Sequence, residues 1–307
     1  MAQADSQQAL GAGSFFGAVQ SRREQCGAIF TDLRHTSPRK LPSHSHELPF
    51  FAVLIEGLYG ERYGRQDRQF RPFTVHFRPA GVPHQDEIGP NGVRFFEIEL
   101  RPNWRKRLQD CSAVLDVARD DCMGGELLWL GMKLFREAQG VADDLSVESL
   151  LAELMAAAAR MPRESRQRPP WLGRIVDKLT VEYRERLTLN ELSREAGVHP
   201  VHLSRVFRKC TGAGIGEYVH RLRVRASCEQ ILEPEIPIAE ISLAFGFADQ
   251  SHFTRAFRRV AGMTPAAFRS QMIPTSEAAA ISRTSDSDWR LPSERAWGTK
   301  VRNSPAT

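Results

Sequence analysis

The sequence lacks the features that mark secreted and membrane proteins. Its five cysteines are odd in number and form no Cys-x-x-Cys pair, which predicts reduced thiols rather than disulfides. The longest apolar stretch, Leu48 to Tyr59, contains Pro49 and Glu56 and is too short to span a bilayer. The first residues show neither the basic start nor the apolar run of a signal peptide. We therefore expect a cytoplasmic protein with no membrane association.

Strong charge of either sign is also missing. Lysine and arginine number 42 against 37 acidic residues, a net charge of +5, which is too mild to indicate nucleic-acid binding by itself. The 307 residues are enough for two domains. An apolar fraction of 41% supports packed cores and argues against disorder of the whole chain.

An internal repeat is the most informative feature that is present. The segment His202–Gly212 returns fifty positions later as His252–Gly262. Each copy follows a short apolar helix pattern that ends in glycine, at Leu189–Gly197 and Ile238–Gly246. A helix, a glycine turn and a second helix with a basic outer face are typical of a helix-turn-helix unit. Two such units in tandem predict a protein that contacts DNA at two places.

The helical period separates a buried face from an outward face in both copies. The predicted buried positions are Leu203, Val206, Phe207 and Cys210 in the first copy and Phe253, Ala256, Phe257 and Val260 in the second. The outward and flanking positions are Val201, His202, Ser204, Arg205, Arg208 and Lys209, and then Ser251, His252, Thr254, Arg255, Arg258 and Arg259. The alternative is that these residues form a solvated charged face without a partner. The same pattern occurs in register in both copies, each time behind a glycine turn, and this favours DNA contact.

The outward side chains have the chemistry that DNA recognition needs. Arginine forks onto O6 and N7 of guanine, while serine, threonine and glutamine serve base edges or phosphates. Arg205 and Arg255 occupy matched positions and are predicted to read bases. Arg208 and Arg259 are predicted to contact phosphates.

The spacer between the copies predicts a rigid connection. Ile215 to Glu233 has a helical pattern that Pro234 stops, and Pro237 suits the start of the next helix. About nineteen helical residues span roughly 28 Å. Successive major-groove faces lie about 34 Å apart on one side of B-DNA. The spacer therefore matches the separation of two half-sites.

The segment Gly246–Arg269 resembles the C-terminal signature of AraC/XylS-type transcription regulators. It contains Gly-Phe, Ser-x-Phe-x-Arg-x-Phe, Gly-x-Thr-Pro and a closing aromatic-Arg pair, and Tyr218–Ala226 matches the first half of the same domain. The resemblance covers roughly Trp171 to Arg269. It implies an all-α domain of two helix-turn-helix units joined by a long helix, which binds a bipartite promoter site and contacts RNA polymerase.

The resemblance also indicates which positions read bases. They fall on Val201, Ser204 and Arg205 in the first recognition helix and on Gln250, Ser251 and Arg255 in the second. Val201 departs from the larger or polar residue that is often found there. Apolar readout, such as contact with a thymine methyl group, is expected at that position.

Composition predicts the domain boundaries. We expect a disordered tail over residues 1–20, an effector-binding and dimerisation domain over 21–160, a linker over 161–170, the DNA-binding domain over 171–270 and a second disordered tail over 271–307.

The first domain carries strand patterns followed by helix patterns. Phe51–Ile55, Phe73–Arg78 and Arg94–Leu100 are predicted strands, and Gly125–Gln139 and Leu145–Arg160 are predicted amphipathic helices. The pieces His44-Ser-His46-Glu and Pro79–His84 resemble the two short motifs of the cupin fold. The resemblance implies a mainly β cupin-like barrel with trailing helices.

The two helix patterns do not decide the oligomeric state of the protein. Their apolar faces exceed what a small barrel must cover, which predicts a homodimer. The alternative is that both helices seal the barrel of their own chain.

Three histidines raise the question of a metal. His44 and His46 share a strand face, and His84 approaches from a paired strand, a set that could hold Zn, Fe, Ni or Cu. Metal-binding cupins add a carboxylate three or four residues after the second histidine, where this chain has Phe50 and Phe51. With that ligand missing, we expect no bound metal, and the histidines form a polar fringe at the barrel mouth.

Two functions remain open at this point. In the first, the chain is a ligand-responsive transcription regulator whose barrel mouth, through His44, His46, Arg78 and His84, orients an unidentified anionic or hydroxylated metabolite. In the second, a metal-dependent cupin enzyme such as a dioxygenase or isomerase is fused to a DNA-binding module. The incomplete metal set and the lack of another acid/base constellation favour the regulator.

Overall fold

A curled ten-stranded sheet forms the first part of the chain, and helices form the rest. The computed structural model describes residues 8–64, 66–161 and 169–273. The strands are β1 (Gln8–Leu10), β2 (Ala18–Gln25), β3 (Ala28–His35), β4 (Arg39–Lys40), β5 (His44–His46), β6 (Phe50–Tyr63), β7 (Gln66–Phe70), β8 (Thr74–Arg78), β9 (His84–Leu100) and β10 (Arg119–Asp121).

The two long strands β6 and β9 organise the sheet. They pair antiparallel from Phe50 opposite Glu99 to Tyr63 opposite His84, and β9 also pairs with β3, β4 and β5. The β6–β9 register shifts between Leu54 and Tyr59, and such irregularities bend and twist a strand. Gly57 lies inside this segment with a φ of 84°, and a Cβ there would overlap the Gly92 carbonyl. Only glycine tolerates both the positive φ and the close approach of the neighbouring backbone.

The predicted disordered tail over residues 1–20 is wrong from Gln8 onward. β1 pairs parallel with β5, with Gln8 opposite His44 and Leu10 opposite His46, and β2 begins at Ala18. The polar sequence is ordered here because the pairing uses backbone groups, which every residue carries. Residues 1–7 lie outside the described part of the chain.

Two helices close one face of the sheet. After α1 (Pro102–Leu108) and a 3₁₀ helix (Gln109–Asp116) come α2 (Glu126–Gln139) and α3 (Asp144–Arg160), as the sequence predicted. The apolar faces of α2 and α3 are buried within the chain and belong to its main hydrophobic core. The helices therefore bury their apolar faces within their own chain, which agrees with the second of the two interpretations. The homodimer stays a prediction, but the exposed apolar helix faces on which it was based are not present in the structure of the described residues.

The remaining helices build the C-terminal region. They are α4 (Pro170–Val181), α5 (Leu189–Ala196), α6 (Pro200–Thr211), α7 (Ile215–Ile231), α8 (Ile238–Ala244), α9 (Gln250–Ala261) and α10 (Pro265–Met272). Most of the predicted linker (162–168) and of the second predicted tail (274–307) lie outside the described residues. No helix in the described ranges is long and apolar enough to cross a membrane.

The two regions share one hydrophobic core, and aromatic side chains from both regions pack against one another where the regions meet. We call Phe73, Trp129, Phe257 and Phe268 the interdomain cluster. The ring centroids of Trp129 lie 5.7 Å from Phe257 and 6.0 Å from Phe268, and Phe73 lies 5.8 Å from Phe268. The N-terminal barrel thus packs directly against α9 and α10.

Candidate nucleic-acid interface and histidine cluster

The first helix-turn-helix unit is formed by local signals in the sequence. Thr188 and Glu191 make a reciprocal capping box at the start of α5, which satisfies free N–H groups of the first turn. Gly197 ends α5 in the left-handed region at a φ of 67°. His199 then caps α6, and Pro200 takes the first helical position, where its missing N–H costs little.

The second unit repeats this design with different residues. α8 follows Pro237, and Gly246 makes the turn at a φ of 77°. The Asp249 carboxylate accepts a hydrogen bond of 2.6 Å from the backbone N–H of His252 and so caps α9. Gly212 and Gly262 end α6 and α9 in the same left-handed conformation. The predicted repeat is confirmed as two equivalent structural units.

The predicted buried faces of α6 and α9 are confirmed. Leu203, Phe207, Phe253 and Phe257 are completely buried, while Val206, Cys210 and Val260 are half-buried. The exposed members of the predicted contact set are Val201, His202, Arg205, Arg208, Lys209, Gln250, Ser251, Arg255, Arg258 and Arg259. Ser204, His252 and Thr254 are intermediate.

The exposed cations of both recognition helices are available for a partner. Within the described ranges, no ion pair or side-chain hydrogen bond engages Arg205, Arg208 and Lys209 of α6 or Arg255, Arg258 and Arg259 of α9. Other arginines of this region behave differently. Arg223 and Arg269 donate to backbone carbonyls, such as Tyr183 at 2.6 Å and Ile236 at 2.7 Å, and thereby fix the packing.

The predicted connecting helix is confirmed. α7 contains 17 residues and ends at Ile231, two residues before the predicted end. Its length is about 25 Å at 1.5 Å per residue. Tyr218, Leu222 and Val224 bury it in the core, and Arg223 ties it to the turn at Gly246. Because it is packed along its length, α7 holds the two units at a fixed separation.

The second feature is a buried cluster of three histidines. β5 places His44 opposite His84 of β9, so the predicted approach from a paired strand is confirmed. Their ring centroids are 4.3 Å apart, and His46 lies 5.2 Å from His44 and 5.4 Å from His84. All three are buried rather than on a fringe at the barrel mouth. Phe15 and Phe16 cover them, with centroids 4.8 Å from His46 and 5.0 Å from His44.

A carboxylate does accompany the histidines, which corrects the expectation of a missing fourth ligand. Asp86 Oδ2 lies 3.5 Å from His44 Nε2, and Glu61 is close to both His84 and Asp86. The carboxylate comes from β9 rather than from the segment after His46. The strand period could have revealed it, since residues 84 and 86 share a face. Phe50, at the expected ligand position, instead packs against His46 at 4.6 Å.

Arg78 does not face an effector site. Its guanidinium is completely buried, donates to Glu61 through Nε at 2.7 Å and also binds Asp120 at 2.8 Å. This network occupies the donors that the sequence assigned to a metabolite. The prediction failed because both acidic partners are distant in sequence and reach Arg78 only through the pairing of β8 with β6 and β10.

Burial sets the protonation of the cluster. It lowers the pKa of His44, and it lowers the pKa of His46 to about 2, with the two neighbouring histidines adding to the effect. Burial raises the pKa of Asp86, although His84 and His44 oppose that shift. The cavity that these side chains line has a volume of about 30 Å³. That is room for a small ion or two waters, and too little for an organic metabolite.

The geometry defines a class: a two-unit helix-turn-helix DNA-binding protein with a β-sheet domain packed against it. The family model described as "Helix-turn-helix domain" matches residues 192–271. PqrA of Proteus vulgaris, named a probable transcription factor, is 33% identical over 85 residues, which cover 28% of this chain and 70% of PqrA. The chain therefore belongs to the AraC-type helix-turn-helix transcription regulators.

Two further proteins are similar to part of this chain. AdaA of Bacillus subtilis, a bifunctional transcriptional activator and DNA repair enzyme, is 30% identical over 99 residues, covering 32% of this chain and 47% of AdaA. This chain thus spans about half the length of that relative. The C-terminal domain of AraT, a response regulator from Geobacillus stearothermophilus, is similar at 26% identity and a TM-score of 0.34, covering 37% of this chain and 93% of that domain.

Proposed function

We propose that the protein binds a bipartite promoter site, with α6 in one major groove and α9 in the next. The observation that carries this proposal is the matched pair of exposed, unpaired cationic faces. Both stand on equivalent units that are connected by α7, a packed helix about 25 Å long. A connecting helix of that length supports placement of the two recognition helices in successive major grooves on one side of B-DNA, about 34 Å apart.

Individual roles follow from position. Val201, Ser204 and Arg205 read one half-site, and Gln250, Ser251 and Arg255 read the other. Arg208, Lys209, Arg258 and Arg259 neutralise phosphates, with His202, His252 and Thr254 at the flanks. The two histidines pack against Trp171 and Phe247, so they support the helix surface as well as contact DNA.

The β-sheet domain acts as the sensor, and it does so without catalysis. Its cavity of about 30 Å³ leaves no space for an organic substrate beside the histidines, which argues against the cupin enzyme. The interdomain cluster gives the sensor a direct contact with the second recognition helix. Relatives such as AarP of Providencia stuartii are named transcriptional activators. This name supports activation as the output, and the contact with RNA polymerase is part of our proposal.

The spacing of the half-sites tests the proposal. Genomic DNA fragments that the purified protein retains are sequenced to define the operator. Five base pairs, about half a helical turn, are then inserted between its two halves. Because α7 is a fixed strut, we expect affinity to fall to that of a single half-site and to recover in part when the insertion is a full turn. Equal affinity for the original and the five-base-pair variant would refute bipartite binding.

A further inference from the structure

We infer that the barrel holds one divalent transition-metal ion, bound by His44, His46, His84 and Asp86, and that this ion is the ligand to which the sensor responds. The second half of the inference rests on the proposed regulatory function. The ligand atoms of the three histidines lie within 4.8 Å of one another, and all three side chains are buried. Asp86 lies on the strand that carries His84. Its Oδ2 is 3.5 Å from Nε2 of His44, and its carboxylate lies within 4.8 Å of a ligand atom of His84.

Two of the imidazoles are oriented as metal ligands. Nδ1 of His44 lies 2.9 Å from the Pro42 carbonyl, and Nδ1 of His84 lies 3.2 Å from the Val82 carbonyl. A carbonyl only accepts, so each Nδ1 carries the proton and donates. Each Nε2 is then left with a free lone pair inside the cluster. A ligating histidine commonly donates its other ring nitrogen to a carbonyl in this way, which fixes the tautomer and the ring orientation.

His46 and Asp86 point to the same conclusion. Nδ1 of His46 is buried and has no hydrogen-bond partner within the described residues, an expensive state for a polar atom. Oδ1 of Asp86 accepts a 2.7 Å hydrogen bond from the Tyr59 hydroxyl, and this bond aims Oδ2 at His44. Tyr59 therefore acts as a positioning residue for the carboxylate.

The charge of the cavity also calls for a cation. Glu97 lines the same cavity, and its buried Oε2 has no hydrogen-bond partner within the described residues. Glu61 is neutralised by Arg78, whereas no ion pair with a lysine or arginine is found for Asp86 or Glu97 within the described residues. A cation bound at the histidines would offset the negative charge of both carboxylates. Without it, the desolvation free energy of burying these groups is not compensated.

The donor set selects the class of ion. Three imidazole nitrogens and one carboxylate oxygen suit Zn²⁺, Fe²⁺, Ni²⁺ or Cu²⁺, whereas Mg²⁺ and Ca²⁺ prefer all-oxygen sites. The volume of about 30 Å³ admits such an ion with at most one water. Phe15 and Phe16 exclude bulk solvent from one side.

Metal binding by the full-length protein tests the site. Protein stripped with a chelator is titrated with Zn²⁺ and, separately, with Mg²⁺, and the bound metal is counted by elemental analysis after gel filtration. We expect one Zn²⁺ per chain and no retained Mg²⁺. Co²⁺ loading should give the visible absorption of a four-coordinate nitrogen and oxygen site, which reports the ligands independently of any variant.

Conservative variants identify the ligands. His46→Gln and Asp86→Asn should each weaken Zn²⁺ binding by roughly 100-fold or more, and Tyr59→Phe by roughly tenfold, because it removes only the outer hydrogen bond. The matched control is His220→Ala, since His220 and His252 form a separate histidine pair with centroids 5.6 Å apart. Circular dichroism verifies the fold of each variant.

The outcomes separate the inference from the proposed function. The proposed site would be refuted if the protein neither retained Zn²⁺ nor gave the Co²⁺ spectrum. It would also be refuted if His220→Ala lost Zn²⁺ while His46→Gln and Asp86→Asn kept it. Binding to the selected operator is then compared with and without Zn²⁺, and we expect at least a tenfold change in Kd that Asp86→Asn abolishes. Stoichiometric metal with identical operator affinity would refute its sensing role. Absence of operator binding in both states would instead refute the proposed function.

Discussion

The indole of Trp129 lies 5.7 Å from the ring of Phe257 in an edge-on arrangement, which joins the helix that seals the barrel to the back of the second recognition helix. Trp129 Nε1 also donates to the Gly124 carbonyl at 3.1 Å, so the indole is fixed from both ends. A rearrangement of the barrel that moves α2 must therefore repack α9 as well. The β-sheet domain and the second recognition helix are thus in contact through a single layer of side chains.

Trp129→Ala should uncouple the two domains. Removal of the buried indole costs roughly 3–5 kcal/mol of unfolding free energy, because the shared core is opened at its centre. We expect the wild type to unfold in one calorimetric transition and Trp129→Ala in two. Trp129→Phe, which keeps a ring in the cluster, is the control and should retain a single transition. One undivided transition in Trp129→Ala would contradict this account of the interface.

Arg205→Ala and Arg255→Ala should each relax base preference in one half-site only. The loss of a bidentate guanine contact costs roughly 1–3 kcal/mol and removes discrimination at that base. Arg208→Ala and Arg259→Ala are the comparison, since loss of a phosphate contact weakens all sequences alike and flattens the salt dependence. Fluorescence anisotropy with single-base operator variants measures both effects. Unchanged preference in Arg205→Ala and Arg255→Ala would show that the recognition faces are misassigned.

The two turn glycines should differ in their tolerance of a side chain. Gly197 and Gly246 both have positive φ, which costs an alanine roughly 1–2 kcal/mol. A Cβ at Gly197 meets open space, whereas at Gly246 it would overlap the backbone carbonyl of Arg184. We expect Gly246→Ala to lower the unfolding free energy, measured in urea, by at least twice as much as Gly197→Ala. Equal losses would mean that backbone strain alone governs both turns.

Acid should destabilise the metal-free protein through His76. Burial lowers the pKa of His76 from 6.5 to about 3, so the folded state keeps the ring neutral while the unfolded state takes up a proton below pH 6.5. This stability is complete above pH 6.5 and is lost as the pH falls toward 3. The loss at pH 5 is about 2 kcal/mol relative to pH 8. His76→Phe should remove that part of the pH dependence in urea unfolding, and an unaltered pH profile would contradict it.

The sequence predicts the DNA-binding region well because its signals are local. Capping residues, turn glycines and the 3.6-residue period lie within a few residues of one another, and so α5, α6, α8 and α9 follow from Thr188, Gly197, Asp249 and their neighbours. The N-terminal site is harder to predict since its contacts are non-local. Nothing near Arg78 in sequence indicates Glu61 as its partner, and β1 forms through backbone groups of a polar segment.

The dimer prediction failed to find support for a different reason. An apolar helix face has the same pattern whether it packs on its own chain or on a second copy. The sequence of α2 and α3 therefore could not distinguish a sealed barrel from an intermolecular contact. Only the three-dimensional structure shows that both faces are buried in the hydrophobic core of their own chain.

β1 is only three residues long, yet it is the parallel partner of the strand that carries His44 and His46. Short terminal strands open with a free energy far below that of global unfolding. We therefore expect reagents that modify imidazoles to reach the cluster through opening of residues 8–16. The exchange rate of the proposed ion is expected to follow the opening of this sheet edge as well as the affinity of the ligands.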